Sequence, residues 1–559
     1  MIAASLTVLV ALFAAVLIAG LVLRPRGAST FEFYLAGRQV GVVTNACAIC
    51  GDYFSAASFL GVAAAVYVSG LDGVWYATGF AAGFVPVLLF VAAPLRRFGE
   101  FSIPDFLGRR LGSERVRLTA VTVVQLVILS YLVPQAVGSG LTWELLVGEG
   151  VAGLSPYATG VVVSTVAIAA LVVVGGMRGT TWTQAVQFLL LLAVFIWLAI
   201  VVLRSGFSYP DAVGRLSDKP LGNPAEFDGS WQLEVAENRL ESGEPAYFGN
   251  PGGRYGPLGQ ITLIVTLVFG TAGLPHVMNR YFTSPTGTAA RMTTVWVLGF
   301  AGVFYALAVL IGTAARSLVS QAVPDRPWLA DLTVNGVLRV PEHAPLVLGR
   351  IYGGDTGLAV VAIGALIAVL STIAVLLASA ASWGHDVYER HINPVATQRQ
   401  AVWAGRAAVL VVAALSAGLA LLLRPYSLTA MFPSIVATMV TWAFALAGSA
   451  LAPVFILAIW WRRTTAPGAV AGMAVGALTA ISLVAVAPSA GESGIGEILF
   501  APTIVAAPLA TLVTVIVSLR TTAPADVERL WLKLHGTAAD RRAVRLAKLT
   551  IAGVDGKRR

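Results

Sequence analysis

Charge is scarce in this chain. Asp, Glu, Lys and Arg make up 12% of its 559 residues, against about a quarter in soluble domains. With 57% hydrophobic residues and a mean hydropathy of +0.82, that scarcity excludes a soluble globular protein. Cysteine is almost missing too: Cys47 and Cys50 stand alone in one apolar stretch. With no second C-x-x-C pair for zinc and no soluble redox fold around them, they read as small residues at a helix contact. Enzyme signatures are lacking: there is no H-E-x-x-H, no G-x-S-x-G and no phosphate-binding glycine loop. Repeated pore loops, which a channel filter needs, are lacking as well. Residues 1–23 carry no Lys or Arg before Arg24, so the basic start of a cleavable signal is missing and the stretch reads as a retained span.

Long apolar runs fill the chain instead. A span needs about 20 apolar residues, and about thirteen such runs follow one another with short polar joints. The net charge of +9 sits in those joints and in the tail, which points to membrane topology rather than to nucleic acid. Arg24, Arg26 and Arg38 place the first joint in the cytoplasm and the N-terminus outside. The joint with Arg96, Arg97, Arg109, Arg110, Arg115 and Arg117 is cytoplasmic by the same rule, while the stretch 205–256, with eight acids and four bases, suits the outside. Arg280 and Arg291 mark another inner end, and a loop at 317–354 is expected outside. The stretch 428–461 reads as one long or kinked span because Arg462 and Arg463 follow it. The C-terminal tail then falls inside. The expected division is 1–40, first span and joint; 41–204, a first five-helix repeat; 205–256, an outer loop; 257–461, a second repeat region; 462–519, two peripheral helices; and 520–559, a basic tail.

Two spans carry breaks. The stretch Asn45–Gly70 holds Gly51, Asp52, Ser55 and Ser58, and a carboxylate inside a span costs about 2.5–3.5 kcal/mol even on insertion scales, so Asp52 must face protein or a cavity. Asp52 then either serves a binding site or caps a broken helix. The seventh span contains FGTAGLPHVMNRYF, where proline removes a helical hydrogen bond and predicts an interruption between Gly270 and Pro275. Interrupted helices in corresponding positions of two halves point to an inverted-repeat transporter with its site at the midplane, where freed N–H groups suit an anion and freed carbonyls a cation.

The runs GDYFSAASFLGVAAAVYVSGLDG, FGTAGLPHVMNRYF and SWGHDVY resemble the sodium:solute symporter family, and within it the bacterial cation/acetate, or monocarboxylate, symporters. The resemblance implies an all-α polytopic fold of the LeuT-type five-plus-five inverted repeat with extra helices, agreeing with the span count. It implies a Na⁺ site of backbone carbonyls from Cys50, Tyr53 and Ala368 with the hydroxyls of Ser371 and Thr372, Asp52 tuning the field. Packing is the other reading of Ser371 and Thr372. Where many family members carry an Asp after a Trp-Thr pair, Gln184 follows Trp182 and Thr183 here, which removes that Asp from the ion route.

For a small carboxylate, the cradle is expected at the N–H groups around Gly270, Thr271 and Gly273, with the Thr271 hydroxyl. Ser55, Tyr131 and Gln135 are expected on the same cavity, or Tyr131 and Gln135 in an interhelical hydrogen bond. His276 is a proton relay or a tether of the break. His385, Asp386, Glu389 and His391 lack a closed metal-ligand spacing and read as solvated loop and helix-cap residues. The expected function is inward symport of acetate, pyruvate or propionate with Na⁺ across a bacterial cytoplasmic membrane, by a monomer or weak dimer that binds lipid bilayer but no nucleic acid. H⁺ coupling, symport of proline or a sugar, and a transporter-like sensor needing a partner are the alternatives.

Overall fold

The computed structural model describes residues 30–99, 101–217, 248–249, 252, 255–334, 336–423, 434–487, 495–523 and 526–536. The expected first span, most of the 205–256 loop and the end of the tail fall outside these residues. Among the described residues, nine helices are long and apolar enough to cross a membrane, or ten when one bent pair counts as a span. The only strands described form a two-stranded antiparallel hairpin, Thr333–Val334 with Val337–Leu338.

The first break follows α1 (Val42–Tyr53). Phe54 leaves helical geometry at φ −82°, ψ 64°, and the chain resumes through a π-helical turn, Ala57–Gly61, into α2 (Val62–Ser69). At Gly70 (φ 60°) it turns back into α3 (Val74–Ala82). The reversal is tight enough that a Cβ on Gly73 would strike the backbone of Ala65 and Val66. Ala57–Phe98, 42 residues of continuous helix by hydrogen bonding, is therefore a hairpin of two passes. The short helix α4 (Ile103–Leu111) is capped by Ser102, whose hydroxyl accepts from the Asp105 N–H at 3.0 Å.

α5 (Glu114–Leu146) carries Pro134 inside, and α6 (Pro156–Arg204) is divided at Gly176, where φ 56° suits only glycine at low cost. The second break lies between α7 (Pro257–Gly273) and α8 (Pro275–Phe282), which meet at 42°. There Leu274 is extended (φ −68°, ψ 117°), as the residue before a proline prefers.

α9 (Gly287–Ala322) runs past 317, and the stretch that follows it holds structure of its own. It folds into the hairpin and a buried segment whose Glu342 accepts from the Val436 N–H at 3.2 Å. α10 (Ala344–Leu370) turns at Gly354 (φ 59°) and gives way at Ser371 and Thr372 to α11 (Ile373–Ala381). α12 (Gln398–Leu422) begins with a capping box of Thr397 and Gln400. Ile435–Trp460 is one 26-residue span, as Arg462 and Arg463 suggest, made of α13 (Ile435–Leu446), a π-helical turn and α14 (Ala452–Trp460). α15 (Ala466–Val486) and α16 (Thr503–Leu519) pack on each other at the periphery.

Candidate functional site

The two breaks meet. Tyr53, the last residue of α1, sits 2.8 Å by its hydroxyl from Thr271 Oγ1 near the end of α7. The Tyr53 hydroxyl also reaches the Phe80 carbonyl at 3.1 Å. Tyr131 of α5 donates to Ser55 Oγ at 3.2 Å, and the freed N–H of Ala56 donates to Gln135 Oε1 at 3.0 Å. Gln135 thereby satisfies a backbone group that the break leaves open, at the midpoint of a membrane span where water cannot.

The substrate cradle needs correcting. α7 stays helical through Gly273, so the N–H groups of Gly270, Thr271 and Gly273 are not freed by the break. The two glycines instead admit α13 and the turn after it: added Cβ atoms would press on Phe444 and on the Ala447 carbonyl, respectively. The open donors belong to α8, whose first turn begins with Pro275 and leaves the N–H groups of His276 and Val277 without an intrahelical acceptor.

On the other side of α1, Asp52 is fully buried. Its Oδ1 accepts from Gln184 Nε2 of α6 at 3.4 Å, and its Oδ2 has no partner. The same Gln184 amide donates to the Ser371 carbonyl. Gln184, expected to matter for the charge it lacks, joins the broken helix to the Ser-Thr turn. Ser371 and Thr372 are buried, their hydroxyls donating to Ala368 O at 2.8 Å and Val369 O at 2.7 Å. Tyr53 O accepts from Ser58 Oγ at 3.2 Å, and Cys50 O from the Phe54 N–H at 2.8 Å. Each carbonyl keeps a second lone pair, and Gln184 is the link between α1 and the α10–α11 turn that carries these oxygens.

Aromatic rings close the centre. Phe54 stacks on Phe304 with centroids 4.2 Å apart, and Phe80 stacks on Tyr305 at 5.7 Å. Phe444 lies edge-on to Phe80 at 5.1 Å and to Tyr53 at 6.0 Å. His276 lies against Tyr131, rings 4.8 Å apart, and neither ring nitrogen has a hydrogen-bond partner.

Two features escape sequence reasoning. Arg280, expected at an inner membrane end, is completely buried. Its Nη1 donates to Thr181 Oγ1 at 2.7 Å. Its position four residues after His276, on one face of α8, was the available signal.

The second is an ionic cluster. His385 and Asp386 are buried rather than solvated, and lie with Asp105 within 4.8 Å by their ligand atoms. Asp105 Oδ1 is 3.3 Å from Arg117 and 3.4 Å from Arg109. Ser102 donates to Asp386 at 2.6 Å, and His385 pairs with Glu389 at 2.8 Å. Burial alone would raise the Asp105 pKa, but the His385 hydrogen bond and charge, with Arg109 and Arg117, hold it well below the usual carboxylate range. Asp105 Oδ1 faces two guanidinium groups and Asp386 Oδ2 takes the Ser102 hydroxyl, so the cluster ties α4 and α5 to the segment after α11, while Asp386 Oδ1 and His385 Nε2 have no hydrogen-bond partner.

The family model of the sodium:solute symporter family matches residues 33–476. A Bacillus subtilis (strain 168) protein named uncharacterized symporter YwcA is 33% identical over 478 residues, covering 85% of this chain and 84% of that protein. A Corynebacterium glutamicum protein named monocarboxylic acid transporter is 32% identical over 478 residues, covering 83% and 80%. A solved Na⁺-coupled sialic acid symporter in a substrate-bound outward-open state superposes with a TM-score of 0.69 at 17% identity, covering 94% of this chain and 98% of that one. The closed nucleobase-cation-symport transporter Mhp1 superposes at 0.51 and 15% identity, covering 91% and 100%. At such identities the structural likeness is one of fold: an all-α, LeuT-type transporter architecture.

Proposed function

We propose, from the premise that this chain belongs to the sodium:solute symporter family, that it moves a small monocarboxylate of the acetate, pyruvate or propionate type inward with Na⁺. The family makes it a multi-pass solute symporter and not an enzyme. The observation that carries the finer reading is the convergence on Gln184: one amide holds both the Asp52 carboxylate and the Ser371 carbonyl. That links the ion-binding oxygens of the Ser371–Thr372 turn to the broken helix whose other side meets Thr271.

Na⁺ suits the donor set. Carbonyls of Cys50, Tyr53 and Ala368 with the hydroxyls of Ser371 and Thr372 are neutral hard ligands, and Asp52, one residue from Tyr53, sets the local field. The ion supplies positive charge that a carboxylate substrate can follow into a water-poor centre. The substrate carboxylate would be held by the N–H groups of His276 and Val277, with the Thr271 hydroxyl turning to it from the Leu267 carbonyl to which it donates at 2.8 Å, while Ser55, Tyr131 and Gln135 fix the near side of α1 around it. Gly270 and Gly273 serve by letting α13 approach. A Corynebacterium relative named as a monocarboxylic acid transporter supports the substrate class.

Transport then follows by alternating access, the four-helix bundle that contains the broken helices of the two repeats, 41–204 and 257–461, rocking against the remaining core helices. In this reading the protein lies in a bacterial cytoplasmic membrane with the N-terminus outside and the C-terminus inside, an orientation that the basic joints and tail support. It works as a monomer or weak dimer.

A second reading has an observation of its own. Asp52 Oδ2 and both nitrogens of His276 are buried without partners, and such groups suit H⁺ as the coupling ion. Uptake of labelled acetate and pyruvate into proteoliposomes separates the readings. Acceleration by an imposed Na⁺ gradient and not by a pH gradient supports Na⁺ symport; the reverse assigns coupling to Asp52 and His276. Transport of proline or a sugar in place of both acids would overturn the substrate class. No transport of any of them would leave the sensor reading.

A further inference from the structure

Arg280 has an unused edge. Of its three guanidinium nitrogens, Nη1 is held by Thr181 at 2.7 Å and touches Met177 Sδ at 3.4 Å, whereas Nε and Nη2 have no hydrogen-bond partner. Nε–H and Nη2–H are the parallel pair on one side of the fork, and that pair meets both oxygens of a carboxylate at once. The side chain is fully buried and, among the described residues, takes part in no ion pair within 4.0 Å. A buried cation left unpaired is strongly unfavourable.

The protein's own carboxylates do not fill that edge. The acidic group that acts on Arg280 through space is Asp52, which makes no ion pair with it within 4.0 Å: Asp52 Oδ1 accepts from Gln184, and Oδ2 has no hydrogen-bond partner. Position 184 carries an uncharged amide. One turn nearer the midplane on the same face of α8, His276 offers two further unpartnered nitrogens. Arg280 is anchored on its inner side by α6 through Thr181, and Asn45 of α1 holds its backbone carbonyl at 3.1 Å. The guanidinium is therefore preorganised between α1, α6 and α8, beyond the break on the way to the face that carries Arg38, Arg96 and Arg97.

We propose that Nε and Nη2 of Arg280 form a second carboxylate station, distinct from the break itself, which takes the substrate's two carboxylate oxygens side-on between the midplane and the basic face. It rests on the monocarboxylate reading given above. His276 lies between the two positions and steers the anion from the α8 N-terminus to the guanidinium. A transported acid thus passes from neutral backbone donors to a fixed positive charge before release, so affinity on the basic face is set by Arg280. Substrates without a carboxylate gain nothing from the station.

Sidedness tests it. Labelled pyruvate transport is measured at fixed Na⁺ in right-side-out and inverted membrane vesicles, for the unaltered protein and Arg280→Lys. Lysine keeps the charge and loses the bidentate edge. The half-saturation concentration on the basic face is expected to rise about tenfold, the scale of one lost charge-assisted hydrogen bond, with a much smaller change on the opposite face. Equal shifts on both faces, or none, overturn the station and leave the carboxylate reading standing. Failure of the unaltered protein to transport any of acetate, pyruvate and propionate overturns both. If Arg280→Lys does not reach the membrane, Thr181→Val releases Nη1 and keeps the guanidinium; the same one-sided rise supports the station, and a symmetrical change overturns it.

Discussion

The hydroxyls of Tyr53 and Thr271 lie 2.8 Å apart and join the two interrupted helices at the ends of their first halves. Residues 218 positions apart in the chain thus hold the two breaks at one depth. Tyr53→Phe keeps the ring contacts with Phe84 and Phe444 and removes the joint. A net hydrogen bond contributes about 0.5–1.5 kcal/mol, so the half-saturation for acid uptake should rise about three- to tenfold by that measure. Insertion should be normal. An unchanged half-saturation would mean that the joint is packing alone.

At Gly270 shape bears directly on the break. A Cβ there would lie 2.5 Å from Phe444 Cβ and 2.7 Å from its Cδ1, and Phe444 in turn packs on Tyr53 and Phe80. Gly270→Val must displace α13 or the aromatic cover, at a cost of about 1–3 kcal/mol for overpacking. Substrate uptake should fall about tenfold or more on that scale while the protein still reaches the membrane. Normal uptake would move the site away from the α7–α8 break.

Much of this was legible before the fold. Asp52 inside an apolar run and Pro275 after two glycines mark the breaks because a membrane penalises charge and open backbone groups so heavily. The exact donors were not. Glycine and proline in FGTAGLP signal an interruption, but only the backbone shows that Gly270 and Gly273 remain helical and that Leu274 alone turns. Arg280 and the His385–Asp386 pair were read as membrane-edge charges, since one-dimensional spacing cannot show that Thr181 or Asp105 reaches them across the fold. Gln184 looked like a lost carboxylate; its role as a bridge depends on two other helices.

The ionic cluster gives a stability prediction. Asp105 faces Arg117, itself only 2% exposed, at 3.3 Å. Asp105→Asn leaves that guanidinium with Glu114, which is 59% exposed. Removing one partner of a buried pair costs about 3 kcal/mol at the lower end of its range, so thermal unfolding in detergent should begin at a clearly lower temperature. Because the folded pKa of Asp105 is lowered, its contribution is present above the ordinary carboxylate range and is lost as pH falls through the lowered value. The difference between the two proteins should therefore shrink only in strong acid. A chelator should leave the unaltered protein's unfolding temperature where it is; a fall would make Asp105, His385 and Asp386 a metal site.

Asp52 and Thr372 separate the field from the ligand. Asp52→Asn retains the size and an acceptor oxygen but removes the charge next to the Ser371–Thr372 turn, whereas Thr372→Ala removes one hydroxyl ligand and leaves the charge. If Na⁺ is held there, both variants should raise the Na⁺ concentration needed for half-maximal acid uptake, by about tenfold for each lost contact worth 1.4 kcal/mol. Saturating Na⁺ should restore most of the rate in Thr372→Ala. Under H⁺ coupling the pattern differs: Thr372→Ala leaves the ion dependence unchanged, and Asp52→Asn abolishes the response to a pH gradient while permitting exchange of labelled for unlabelled acid. Unaltered Na⁺ activation in both variants would exclude this turn as the ion site, since no reading of the Gln184 bridge lets the ion sit there without sensing one of them.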